Sequence, residues 1–290
     1  NMALMGPNYE WYISDQMMQG DVGVLVLCHG VGAQGDSMFV EDLADISKTY
    51  PTAIGFGMAM MTSNPLQQSV DDLVARGAKK IILVPTVPTR YNSLYRQWDY
   101  TFNLGAEAAY LPIPQIETDA EIIMASAFND DPLITDVLAD YAKEISTDPA
   151  NEVVIIVGHG PEDIEENIPD LETLAPHTAR LKEMGGYADV KMINLQDDAF
   201  APIRASNVKE LRKWVTTAMR RDQKVLILGL VLESHGLQAT IINDLIGLDY
   251  TFNEKGLAEH PNTQDWILKT VETAIAENNV SMGEHDHGQN

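Results

Sequence analysis

Two histidines stand at the same kind of place in this sequence. Residues 22–28 and 153–157 are uninterrupted apolar runs, and they are followed by His29-Gly30 and by Gly158-His159-Gly160. Runs of this kind read as strands buried on both faces of a parallel sheet, and the carboxyl ends of such strands are where α/β proteins gather ligand-contacting groups. The second half adds Asp198, beside Asp197 and four residues before Pro202, and His235, which follows the apolar run 224–232. Two imidazoles suit Co²⁺, Ni²⁺, Fe²⁺ or Zn²⁺, and a carboxylate can complete the shell or take a proton. A neutral histidine, with an ordinary pKa of ~6.5, accepts a proton at working pH. His29 and His159 are therefore candidate metal ligands by their placement, and Asp198 and His235 are of types that could join His159.

Simpler readings stand beside these. A His-Gly pair after a strand also serves as a turn, and Asp197-Asp198 also reads as a polar loop. His177 lies at helical spacing between Leu174 and Leu181 and reads as structural or solvated, whereas His260 before Pro261 is a loop residue. Arg90, Arg96, Arg180 and Arg204 are the basic candidates for holding carboxylates of a ligand. Arg90 follows a strand end, and Arg204 falls in the first turn after Pro202. Each also reads as a solvated or acid-paired surface side chain. The terminal His285-Asp286-His287 offers a weak, unselective cation ligand set.

Other chemistries lack support. Gly30, Gly32 and Gly35 spell G-x-G-x-x-G after a strand, but a nicotinamide site also wants an acidic residue at the end of the next strand. Ala59-Met60-Met61 offers none, and the second half lacks the glycine pattern. There is no G-x-x-x-x-G-K-[ST] loop for nucleotide phosphates and no G-x-S-x-G elbow for a serine hydrolase.

The elements that must position these residues follow the same punctuation in each half. After His29, Phe39, Leu43 and Ile46 recur at helical spacing, 53–61 reads as a strand, and Pro65 opens a helix capped by Asn64 that stops near Gly77. Lys80 to Pro85 is the next strand. In the second half a helix ends at Gly185-Gly186, 189–195 is a strand, Pro202 opens a helix with Val208, Leu211 and Val215 inward, and 224–232 is a strand. β-α-β-α-β twice over predicts an α/β chain of two tandem parallel-sheet domains with helices on both faces and a ligand cleft between the domains. Asp131-Pro132 opens a further helix. The expected domains are 1–148 and 149–280, with 281–290 a disordered tail.

Composition bounds the partners. The 290 residues carry 19 Lys and Arg against 43 Asp and Glu, a formal charge of −24, which repels nucleic acid and anionic membranes. No apolar run approaches the ~20 residues of a membrane span. The single cysteine, Cys28, lies within an apolar strand pattern and gives neither a disulfide framework nor a cysteine zinc site. The chain opens on Asn1 rather than Met, as it would after removal of a leader, so cytoplasm and periplasm both stay open.

Strand-His-Gly, then a strand followed by a proline-started helix, then the Gly-Ala-Lys-Lys-Ile-Ile-Leu-Val-Pro strand of residues 77–85, resembles the class II tetrapyrrole chelatases. These include the sirohydrochlorin cobaltochelatases and ferrochelatases. The resemblance covers roughly 22–145 and 152–275, and residues 128–133 are similar to that family's linker before a helix. It implies a metal-binding histidine after the first strand, matched by His159. It further implies an acidic residue a few positions before the proline, matched by Asp198, and a second histidine after the later strand, matched by His235, so that His159, Asp198 and His235 are the implied catalytic set and His159, His235 and His29 the implied metal ligands. Glu233-Ser234-His235-Gly236 is shifted from the family's Gly-x-His order. In the first half the acidic position falls on Met61 and the second histidine position near Ser93, so only His29 survives. The implied activity is ATP-independent insertion of a divalent metal, cobalt or iron first, into a sirohydrochlorin-like tetrapyrrole. The alternatives are a non-catalytic metal- or tetrapyrrole-binding protein on this fold, or a different enzyme reusing its cleft.

Overall fold

The computed structural model describes residues 11–13, 21–29, 40–41, 44, 46–56, 62–233 and 236–285. By packing they form two compact units, one of residues 1–86, 94–127 and 264–290 and the other of 87–93 and 128–263.

Unit 1 is built on β1 (Trp11–Ile13), β2 (Val22–Cys28), β3 (Thr52–Phe56), β4 (Lys80–Pro85) and β5 (Glu121–Met124), with α1 (Asn64–Ala75) and α2 (Ser93–Thr101) between strands. Strand order is β1-β3-β2-β4-β5. β2 pairs in parallel with both β3 and β4, and β4 with β5. β2 is buried almost throughout, as a strand covered on both faces must be. The three-residue β1 adds an antiparallel edge to β3, with Trp11 opposite Gly55. It is too short to carry a readable alternation, so the sequence gives no sign of it. The cap of α1 is Ser63 rather than the expected Asn64, and its hydroxyl donates instead to Pro114 O at 2.5 Å.

Unit 2 contains α3 (Pro132–Ile145), β6 (Glu152–Gly158), α4 (Ile164–Gly185), β7 (Asp189–Asn194), α5 (Ala201–Met219), β8 (Lys224–Leu230), α6 (Gly236–Asp244) and β9 (Thr251–Asn253), and the start of α7 (Pro261–His285). Its sheet is wholly parallel, in the order β7-β6-β8-β9. Apart from β1, both sheets thus run second, first, third, fourth strand, and the strands ending before His29 and His159 take the same interior place. Val153, Ile155 and Val157 of β6 pack with Ile227 of β8 and with Leu211 and Val215 of α5. Each such side chain contributes about 1.5–3 kcal/mol on full burial.

The expected boundary at 148/149 falls inside unit 2. α3 packs on β8, β9 and α4, and the Tyr141 hydroxyl donates to Gly256 O at 2.9 Å while Asn253 Nδ2 donates to Tyr141 O at 2.9 Å. Conversely, residues 264–290 belong to unit 1. Punctuation along the chain marks where the pattern restarts, whereas buried side chains decide where packing divides. α7 also continues through His285, into the stretch expected to be a disordered tail. No helix among the described residues is long and apolar enough to cross a membrane.

Candidate metal site at the carboxyl end of the second sheet

β6 and β7 do not part where regular pairing ends. Leu195 N donates to Gly158 O at 2.9 Å, and Gln196 N donates to His159 O at 2.7 Å, which carries the two strand ends into the loops as one ribbon. Gln196 has φ 54°, unusual for a residue with a side chain. Its amide holds the conformation: Nε2 donates to Pro161 O at 3.0 Å and Oε1 accepts from Asn207 Nδ2 at 3.1 Å. Gly160 sits at φ 76°, and a Cβ there would come within 2.5 Å of Asn194. A Cβ on Gly158 would come within 2.4 Å of the Asn194 amide oxygen. The glycines flanking His159 are therefore set by the side chain of Asn194 lying against the backbone.

His159 is half-buried on this frame. Its Nδ1 lies 2.9 Å from Gly160 O. A carbonyl only accepts, so Nδ1 carries a proton, and in the neutral imidazole Nε2 then presents its lone pair. Nε2 faces Asp198 Oδ2 at 3.7 Å, with the two side chains 39% and 54% exposed. The gap is too long for a hydrogen bond. Two electron-pair donors thus stand side by side, open to solvent.

The neighbouring Asp197 is differently occupied. It accepts from Arg204 Nε at 2.7 Å, and Arg204 Nη2 donates to Asp244 Oδ2 at 2.7 Å, tying the β7 turn to α6. Arg204, an expected contact for substrate carboxylates, gives three of its five N–H donors to Asp197 and Asp244 and so clamps the β7 turn to α6. Arg90 is exposed, donates to the Tyr91 hydroxyl at 3.2 Å and lies 5.1 Å from that ring's centre. His235 lies outside the described residues. His29 is exposed after β2 in unit 1, Met61 lies outside the described residues, and Ser93 packs with unit 2. Among the described residues no group of three or more His, Cys, Asp or Glu is arranged to hold a metal ion.

A buried polar network beneath His159 has no counterpart in the sequence reading. Asp170, on α4, is 2% exposed. One of its oxygens accepts from the Thr89 hydroxyl, and the other accepts from Asn194 Nδ2 at 2.7 Å. Burial pushes the Asp170 carboxyl above its ordinary pKa, and the bonds from Thr89 and Asn194 offset part of that push. On the same helix His177 is wholly buried, with Nδ1 accepting from the Thr135 hydroxyl at 2.7 Å and Nε2 donating to Asn129 O at 2.7 Å. Burial moves its pKa below the ordinary 6.5. The available signal for Asp170 was its spacing: 170, 174, 177 and 181 form one buried stripe.

No family model matches the sequence, and no curated protein does. Solved structures do. SirB from Bacillus subtilis, solved with Fe³⁺, superposes with a TM-score of 0.64 over 90% of this chain and 98% of its own, at 16% identity. DR2241 from Deinococcus radiodurans, described as a multi-domain protein with structural similarity to chelatases and two additional domains, gives 0.52 over 87% of this chain, also at 16% identity. The chain spans about half of DR2241, 54% of its length. These likenesses show the fold, a chelatase-like α/β architecture of the kind the sequence resemblance implied.

Proposed function

We propose that this chelatase-like chain inserts a divalent metal, cobalt or iron, into a sirohydrochlorin-like tetrapyrrole without nucleotide hydrolysis, and that unit 2 does the chemistry. The observation that carries the reading is the pairing of His159 Nε2 with Asp198 Oδ2 at 3.7 Å, both open to solvent at the carboxyl end of β6 and β7. An ion bound at about 2.1 Å from each atom would subtend an angle of about 120°, within the reach of a four-coordinate shell. Metal entry displaces two pyrrole N–H protons. Once the ion has passed to the macrocycle, the Nε2 lone pair of His159 takes one, and the Asp198 carboxylate or solvent takes the other. His235 is the proposed third ligand. Arg90, exposed on a loop of unit 2 in a chain of net charge −24, is the proposed contact for substrate carboxylates.

The test is incubation of the purified chain with sirohydrochlorin and Co²⁺ or Fe²⁺ while the macrocycle's absorbance is followed. A spectral change faster than the protein-free control supports insertion. A second reading, a non-catalytic metal- or tetrapyrrole-binding protein, draws on the two described donors where a closed site would show more. Binding of metal or macrocycle without metallation by Co²⁺, Fe²⁺, Ni²⁺ or Zn²⁺ would select it, and absence of both would remove the two together.

A further inference from the structure

Residues 87–93 follow β4, a strand of unit 1, yet they pack with unit 2. Phe128 N donates to Val87 O at 3.1 Å and Asn129 N to Pro88 O at 2.7 Å, which fixes the segment on that unit. Two side chains then reach from it toward the backbone around His159. The Thr89 hydroxyl, wholly buried, donates to Asp170, whose other oxygen holds Asn194, and Asn194 lies against Gly158 and Gly160. Asn194 Nδ2 is held a second time by Asn167 Oδ1 at 2.8 Å. Separately, Ser93 Oγ accepts from Glu162 N at 3.3 Å, in the loop that leaves His159.

From this geometry we infer that residues 87–93 brace the His159 loop, with Thr89, Asp170 and Asn194 as positioning residues that fix the imidazole's tautomer and direction and Ser93 as a second tie. Nε2 faces Asp198 only while Nδ1–H points at Gly160 O, and that carbonyl's place depends on the left-handed Gly160. Gly160 in turn is confined by Asn194. Without Asp170 the amide of Asn194 would keep only its bond to Asn167, and Asp170 needs a donor on its remaining oxygen because a buried carboxylate left half-satisfied will seek another partner. The position where the first half departs from the chelatase pattern, near Ser93, thereby supports the second half's site. The consequence for metal rests on the reading of His159 as a ligand, but the brace itself is tested without metal.

In the full-length, metal-free protein, long-range ¹⁵N–¹H spectra of the imidazoles, with His159 assigned by difference from His159→Gln, should show the Nδ1–H tautomer. Free imidazole side chains favour Nε2–H, so this is a positive signature. Thr89→Val, equal in shape but without the hydroxyl, should shift His159 toward a mixture of tautomers and weaken Co²⁺ binding, read by titration of the ion alone, by roughly tenfold. Thr89→Ser should restore both. A folded Thr89→Val protein with the original tautomer and Co²⁺ affinity overturns the brace, as does failure of Thr89→Ser to restore them. If Thr89→Val does not fold, Ser93→Ala removes the second tie alone and should move the tautomer in the same direction by less; an unchanged spectrum overturns the proposal. A tautomer that answers to Thr89 in a protein that metallates nothing keeps the brace and discards the chelatase reading. Metallation with an indifferent tautomer does the reverse.

Discussion

β2 and β6 occupy the same place in sheets of the same order, and a histidine follows each, yet their surroundings differ in kind. After β6, the end of β7 supplies Asn194 beneath the loop and Asp198 beside the ring. In the first half the acidic position carries Met61, and the segment after β4 packs with unit 2. A repeated strand order therefore preserves the address of a functional group without its chemistry. The chemistry lives in what the neighbouring strand end brings.

The sharpest way to break this contrast is to remove each histidine. His159→Ala should abolish metallation of sirohydrochlorin by Co²⁺, while His29→Ala should retain most of it in the same absorbance assay; equal losses would mean that the two strand ends share one site. Next in size, Asp198→Ala should lower the metallation rate by at least roughly 10–100-fold, the loss seen when a carboxylate that merely orients a metal-binding histidine is removed. Asp197→Ala should leave the rate far closer to the original, because that carboxylate faces Arg204.

Arg204→Ala sharpens the assignment of that arginine as a clamp. It leaves Asp197 and Asp244 facing each other without their shared cation, so unfolding by urea should show a loss of about 1–3 kcal/mol. The Michaelis constant for the macrocycle should hold, whereas Arg90→Ala should raise it.

The difference between an α/β frame and a working site also explains what could be read in advance. Apolar runs ending in glycine and prolines opening helices are local signals, and they located β2, β4, β6, β8, α3 and α5 to within a few residues. The approach of His159 to Asp198 followed, since adjacent parallel strands bring their ends together. Asp170 was hidden because a buried carboxylate has no signature apart from the partners that satisfy it, and Thr89 lies in the other half of the sequence. The placement of α3 and α7 was hidden for the same reason: complementary surfaces far apart in the chain decide it. Arg204 had the right address for a ligand contact, but its partner Asp244 comes from another helix.

A smaller effect concerns pH. His177 has a folded pKa below the ordinary 6.5, so the unfolded chain binds the proton more readily. Its contribution to stability is fully present above about 6.5 and is lost as pH falls from there toward the folded value, with a slope of at most about 1.4 kcal/mol per pH unit. Urea unfolding at pH 7.5 and 5.5 should show this loss, and His177→Gln should flatten the difference. A difference untouched by the substitution would assign the acid sensitivity elsewhere. Smallest of all, deleting residues 284–290 should alter metallation only when free metal is scarce, since His285-Asp286-His287 can collect an ion but cannot hold a macrocycle in register.

The division of the helices sets an order of events on the ribosome. Unit 2 is complete when residue 263 has emerged, but unit 1 still lacks residues 264–285 of α7, where Trp266, Ile267 and Val271 are buried and Glu272 lies close enough to Tyr50 to raise its pKa, after burial has done most of the raising. At roughly 5–20 residues per second, the strands of unit 1 wait on the order of ten seconds for that last helix. During that interval the part of unit 1 that packs with α7 is open to chaperones or to other nascent chains. The half that is translated first is the half that matures last, and a chain cut just after residue 263 would release a finished unit 2 joined to an unfinished unit 1.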